Sequence, residues 1–425
     1  MPRIETTKVE FEGRVEEREI IVEEERVAPW GKEARLRVVG QAAPRPDGAP
    51  RVTGQALYTS DIRLPGMLYG CMLRSPHAHA RVTAIDSSDA EAMPGVQLVW
   101  HRWNPPPITE VEERPLFAEE LAYQGAEVAL VVAWDERTAC EAAATIQVNY
   151  EVLPFAPDLE SALADGAAPV LLETDDNLIN PRGERYERGD PDHAWQEAAV
   201  KVHLTFVTPS AAHCPLESHG SAARWEGDEL TIWESTQGVF AARNEIAEAL
   251  RIPQDRVRVL CEYMGGGFGA KQGAGRHSVL TALAARETGR PVRILLDRTE
   301  EHWVSGYRPA GRQRIRIGAQ SDGALTCIDY EAWQHMGAYG HSGYSPGGPA
   351  RTLYACPNVR TTTWGVRANT DNARAFRAPG YVEGTFALES ALDALAQELG
   401  IDPLELRLKN YADSDAARGV PYTSK

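Results

Sequence analysis

Apolar positions along this chain switch between a period of two and a period near 3.6, and the switches mark out the expected elements. Short apolar runs at 68–73, 96–100 and 128–133 predict strands, and Asp135 caps a helix running to Ala144. The alternating stretches 200–207 and 256–261 predict half-buried strands. Further strands are expected to end at Trp225 and Trp233 and to cover 291–296, 314–318 and 325–330. Helices are expected over 240–250, over 276–288 with Val279, Leu280, Leu283 and Ala284 on one face, and over 382–399, where Gly400 stops the last. Between the strand at 256–261 and the helix at 276–288 lies Met264-Gly265-Gly266-Gly267-Phe268-Gly269-Ala270-Lys271-Gln272. Its dense glycines remove the Cβ atoms that would hold a ligand off the backbone, so this loop is built for close approach.

Texture divides the chain into four parts and predicts an α+β class. Residues 1–45 are a charged extension with strands near 9–12 and 18–23, too polar to make a core alone. Residues 46–155 read as a small α+β domain. Residues 156–194, punctuated by Pro157, Pro169, Pro181 and Pro191, read as an extended surface linker, and 195–425 as a second α+β domain. Acidic residues outnumber basic ones by 61 to 44, and the net charge of −17 disfavours nucleic acid and anionic membranes as partners. No apolar run reaches the length of a membrane span and Met1-Pro2-Arg3 opens no export signal, so a cytoplasmic chain is expected. Cys71, Cys140, Cys214, Cys261, Cys327 and Cys356 lie tens of residues apart, without metal or cluster spacing, and are expected to be small buried hydrophobes.

The glycine loop is no Walker A motif, because Lys271 lies between Ala270 and Gln272. A dinucleotide fingerprint survives only as Gly265-x-Gly267-x-x-Ala270, which keeps a NAD-dependent dehydrogenase as an alternative. His213, Glu217 and His219 suggest zinc by type, but Pro215 forbids the helical H-E-x-x-H arrangement, and packing roles are favoured, as they are for His77 and His79. Gln237, at a strand end before a helix, can donate to a ligand oxygen or simply serve as a loop amide. Arg377, beside Pro379 and Gly380, suits anion binding or a surface salt bridge.

Taken together, several stretches resemble the molybdenum-carrying large subunit of the xanthine dehydrogenase/aldehyde oxidase family of molybdenum hydroxylases. They are Gly54-Gln55-Ala56-Leu57-Tyr58, Pro65-Gly66-Met67-Leu68-Tyr69, Leu73-Arg74-Ser75-Pro76-His77, Pro215-Leu216-Glu217-Ser218-His219-Gly220, Ser235-Thr236-Gln237, the glycine loop, and Ala375-Phe376-Arg377-Ala378-Pro379-Gly380 with Glu383-Gly384. The resemblance implies an α/β hammerhead domain followed by the first half of a molybdopterin-binding α+β region. It implies molybdenum molybdopterin, or its cytosine dinucleotide, with the metal held by the pterin dithiolene and by no side chain. Gln237 and Arg377 would then be catalytic, Gly266, Gly267, Phe268 and Gly269 would line the cofactor with them, and Gln272 and Phe268 would face a small-molecule substrate.

Members of that family continue for roughly as many residues again, and the continuation carries the glutamate base. Either the chain is a fragment or the enzyme is split, and the split is the expectation: a second chain completes the site, iron–sulfur clusters and FAD lie on partner subunits, and the isolated chain is inactive. A non-catalytic assembly subunit is the further alternative. Purine-oxidising relatives place a glutamate where this chain has Gln272, and carbon monoxide dehydrogenases a cysteine where it has Arg374. An aldehyde or an aromatic N-heterocycle is the substrate class left.

Overall fold

The computed structural model describes residues 3–11, 14–22, 31, 33–111, 114–172, 176–341 and 344–422, which fall into two compact units, Met1–Ala56 and Leu57–Lys425. The first unit holds an antiparallel hairpin of Arg3–Phe11 and Arg14–Val22, with Arg3 opposite Val22. The expected strands near 9–12 and 18–23 fall within these as far as Phe11 and Val22, and Glu12 and Glu23 lie outside the described residues.

The second unit is organised by two sheets. In the seven-stranded sheet the order is Val257–Leu260, Glu229–Glu234, Gly220–Glu226, Val292–Leu295, Leu68–Arg74, Glu127–Ala133, Val96–His101. Most neighbours are antiparallel, but Glu229–Glu234 runs parallel to Val257–Leu260, and Val292–Leu295 runs parallel to Leu68–Arg74. A parallel pair needs a crossover, and helix Val239–Leu250 supplies it for the first. Helix Arg276–Thr288 lies on this sheet with Leu280 and Leu283 buried beside Ile232, Ile246, Leu68 and Leu130, so early and late strands share one apolar core.

The five-stranded sheet runs Glu184–Arg188, Asn358–Val366, Leu325–His335, Gly311–Ala319, Val200–Thr208. Helix Tyr381–Leu399 buries Ala387, Leu388, Ala391, Leu392 and Leu395 against Ile315, Ile317, Ile328 and Val359 of this sheet, and Gly400 ends it in the left-handed conformation. At the end of the long central strand, His335 is buried, with Nε2 2.8 Å from Thr370 Oγ1 and 3.2 Å from Tyr307 Oη. Burial pushes its pKa from 6.5 to about 4, with Asp158 opposing. Between those values the unfolded chain binds a proton that the folded one does not, so stability is full above pH 6.5 and is lost as pH falls toward 4. The loss should reach about 3 kcal/mol at about 1.4 kcal/mol per unit. Urea titrations at pH 7.5 and 5 should show a large drop for the native chain and a clearly smaller one for His335→Gln; equal drops would show that His335 is not the group involved.

Two expectations are corrected. The segment 156–194 is not an extended surface linker: helix Leu159–Leu163 buries Leu159 and Ala162, Val170 is fully buried, and Glu184–Arg188 pairs with Asn358–Val366. Its prolines punctuate short elements, and buried Asn177 ties the stretch together by accepting from Val170 N–H and donating to the carbonyls of Ala162 and Ala168. The cysteines are not all small buried hydrophobes either. Cys71 and Cys140 form a disulfide across Cα atoms 5.2 Å apart, joining strand Leu68–Arg74 to helix Glu136–Thr145. Cys214 is exposed, whereas Cys327 and Cys356 are buried. Among the described residues no helix is long and apolar enough to cross a membrane.

Candidate functional site

Two loops leave the carboxyl ends of neighbouring parallel strands. Glu229–Glu234 runs into Ser235-Thr236-Gln237-Gly238, and Val257–Leu260 runs into the glycine loop, with Trp233 opposite Leu260. Loops in that relation lie side by side at one end of the sheet. Gln237 N–H donates to Lys271 O at 2.6 Å, and Gly269 N–H donates to Gln237 Oε1 at 2.8 Å. The second bond orients the amide: Oε1 faces the loop, and the exposed side chain keeps its Nε2 donor for an acceptor outside the chain. Glycine is needed where the approach is tightest. A Cβ on Gly267 would lie 2.6 Å from Gln237 Oε1, and one on Gly269, at φ +114°, would lie 2.1 Å from Ala375 O.

That last contact brings in a third loop, 374–380. Arg377 N–H donates to Phe268 O at 3.3 Å. Five non-glycine residues among those described have positive φ, and four of them, Cys214, Phe268, Arg377 and Ala378, fall on this loop, the glycine loop and the neighbouring turn. Strain concentrated in this way marks functional sites. Packing holds the third loop in place. Arg308 donates to Arg377 O at 3.0 Å, pairs with buried Glu383 at 3.2 Å and lies 5.0 Å over the Phe376 ring. His213 donates from Nε2 to Ala375 O at 2.8 Å and packs on Phe376 at 4.5 Å, and burial lowers its pKa.

Gln237, Gly266, Gly267, Phe268, Gly269 and Arg377 are thus gathered in one place. Phe268 is 54% exposed, and the Arg377 side chain is exposed. Gln272 is exposed at the far end of the loop, with its carbonyl oxygen 2.6 Å from where a Gly238 Cβ would sit, beside the start of helix Val239–Leu250. The His213, Glu217, His219 set does not converge. Glu217 accepts from the N–H groups of Gly265 and Thr59 and from Ser235 Oγ, whereas His219 faces Glu301 through Nδ1 at 2.9 Å.

Beneath the loop lies a feature that sequence reasoning missed. Lys271 is 1% exposed, and its ammonium donates to Glu217 O and Ser235 Oγ, each at 2.7 Å. Burial lowers its pKa, and Glu217, with a carboxylate oxygen 3.9 Å away, opposes that shift. A long cationic side chain in a run of glycine and alanine was the available signal, since a lysine fully buried there must find partners.

Residues 172–411 match the family model of the molybdopterin cofactor-binding domain, and residues 53–154 match that of the aldehyde oxidase and xanthine dehydrogenase a/b hammerhead domain. The chain belongs to the xanthine dehydrogenase/aldehyde oxidase family. It is 34% identical over 395 residues to the aldehyde oxidoreductase molybdenum-binding subunit PaoC of Escherichia coli O157:H7, covering 90% of this chain and 52% of that one. It is 33% identical to the probable hypoxanthine oxidase XdhD of the same organism, over 88% of this chain and 44% of the relative. The solved structure of quinoline 2-oxidoreductase from Pseudomonas putida 86 superposes with a TM-score of 0.82 at 29% identity, covering 89% of this chain and 50% of that one. The chain therefore spans about half the length of the relatives it matches.

The residues present fit a family cofactor. The missing Cβ atoms of Gly267 and Gly269 make room for Gln237 and Ala375 of this chain, and Gln237, exposed beside Phe268, offers a neutral donor whose orientation is already set.

Proposed function

We propose that this chain supplies one half of the active site of a molybdenum hydroxylase that oxidises a neutral aldehyde or aromatic N-heterocycle with water-derived oxygen. The observation that carries the reading is the Gly269 N–H bond to Gln237 Oε1, which turns Nε2 outward on an exposed side chain beside exposed Phe268. When bound, molybdenum molybdopterin or its cytosine dinucleotide supplies the two-electron oxidant. In this reading Gln237 holds a donor against the cofactor's oxygen-bearing edge, and Gly266, Gly267, Phe268 and Gly269 let the cofactor lie against backbone. Arg377 adds positive charge beside them, while Phe268 and Gln272 shape the substrate side.

The general base would come from the half of the enzyme that its relatives have beyond the matched region, and electrons would leave through iron–sulfur and FAD subunits. Leu216, at 91% exposure, Phe240 and Phe268 near the loops, and Tyr381, Val382 and Phe386 on the following helix support a missing partner, because exposed apolar residues of this size want cover. Relatives are named for aldehyde, hypoxanthine and quinoline oxidation, and in this reading Gln272 selects among such substrates. An amide donates and accepts but carries no charge.

The test is to co-express the chain with a second chain corresponding to the other half of its relatives. Molybdenum per complex would be measured, together with oxidation of an aromatic aldehyde, a neutral N-heterocycle and hypoxanthine. Molybdenum should be retained only in the complex, and hypoxanthine should be the poorest substrate. Gln272→Glu should lower activity on the aldehyde, since a carboxylate covered by substrate needs a partner or a raised pKa. Robust turnover by the isolated chain would end the split-site reading, and identical substrate profiles for the two proteins would end the role of Gln272.

A further inference from the structure

We propose that Lys271 is a positioning residue for Gln237: its buried ammonium ties both ends of the glycine loop to the strand end that carries the donor. The proposal rests on the reading of Gln237 as the donor to the cofactor. Lys271 Nζ reaches Glu217 O at 2.7 Å, Ser218 O at 3.4 Å and Ser235 Oγ at 2.7 Å. The Glu217 carboxylate in turn takes Gly265 N–H at 2.7 Å and Ser235 Oγ–H at 2.9 Å, while Glu217 N–H donates back to Gly265 O at 3.2 Å. One cation and one carboxylate therefore join the first loop glycine, the last loop residues and Ser235, two residues before Gln237.

The backbone completes the connection. Lys271 O accepts from Gln237 N–H at 2.6 Å and from Thr236 Oγ1 at 3.1 Å, and Thr236 Oγ1 accepts from Gly238 N–H at 3.1 Å. A shift of the Lys271 backbone is thus a shift of the Gln237 backbone. The ammonium itself, with a side-chain exposure of 0%, touches no open surface and cannot meet a ligand. Its action must pass through the residues it holds, and a donor aimed at a fixed oxygen is sensitive to small displacement.

The experiment is a double-mutant cycle in the two-chain enzyme, with kcat, KM, molybdenum content and backbone hydrogen exchange measured for each variant. Lys271→Met should lower kcat by on the order of 10²-fold with little change in KM. In a Gln237→Ala background the same change should lower kcat no further, because the donor it positions is already gone. Exchange should rise in peptides covering 235–238 and 264–272 and stay unchanged in the strand Gly311–Ala319. Lys271→Met leaves the Glu217 carboxylate without its cation and could prevent folding, so Ser235→Ala serves as the second variant. It removes the shared hydroxyl while leaving both charges, and should give a smaller loss of kcat that also vanishes on the Gln237→Ala background. Additive losses in the cycle, or a silent Ser235→Ala beside a damaging Gln237→Ala, would overturn the role of Lys271 alone. A silent Gln237→Ala would instead remove the donor reading, and this inference with it.

Discussion

Gln237→Ala is expected to leave the fold intact and to lower turnover of the two-chain enzyme by about 10²–10³-fold, the loss seen when one preorganised donor is removed from an oxyanion site. The side chain is exposed in this chain, so its truncation opens no cavity and only Gly269 N–H loses its partner. Gln237→Glu separates two ways the residue could matter. A carboxylate still accepts from Gly269 N–H, so it preserves the loop contact, but it replaces the outward donor with a negative charge. If Gln237 works as a donor, the glutamate variant should be at least as inactive as the alanine variant. Recovery of turnover in Gln237→Glu would show that holding Gly269 is all the residue does. Circular dichroism and molybdenum content, measured alongside, would show whether the protein is otherwise unchanged.

Many of the longer regular elements were legible because their periodicity is strong. Strands at 68–73, 96–100 and 128–133 and helices at 240–250, 276–288 and 382–399 each lie within two residues of the structure, and the Asp135 cap accepts from Thr138 N–H as expected. The elements missed were those whose pattern is set by tertiary packing. Asn358–Val366, with Thr361, Thr362 and Thr363 in sequence, has no apolar alternation and is a strand because it pairs parallel to Leu325–His335. Ala80–Asp86 and Gln147–Val152, 61 residues apart at their nearest ends, similarly pair with each other.

At the site, the glycine loop, Gln237 and Arg377 were visible as residue types. What joins them was not. The bond from Gly269 to Gln237, the hold of Arg308 and Glu383 on the Arg377 turn, and the Lys271 knot each span between 32 and 75 positions of sequence. No local period reports contacts of that range. The Cys71–Cys140 pair was hidden for the same reason, since 69 residues separate two cysteines brought together by a helix packing on a strand.

Gly269→Ala should have the larger effect of the two substitutions, abolishing turnover and molybdenum retention together. Two separate penalties meet at this position. The backbone sits at φ +114°, where side chains are strained by about 1–3 kcal/mol. The new methyl carbon would also lie 2.1 Å from Ala375 O and 2.7 Å from Ala375 C, and these are backbone atoms that cannot swing aside as a side chain would. The 374–380 loop must then retreat, which breaks the Arg377 N–H bond to Phe268 O and shifts the N–H that orients Gln237. Gly227→Ala is the matched control. It sits at φ +61°, between strands Gly220–Glu226 and Glu229–Glu234, with nothing within 4 Å of an added Cβ, so it carries backbone strain without the clash. It should cost about 1–2 kcal/mol of stability and leave molybdenum and kcat near the native level. Equal molybdenum and kcat in Gly269→Ala and Gly227→Ala would mean that the contact between the glycine loop and Ala375 is not what holds the site together.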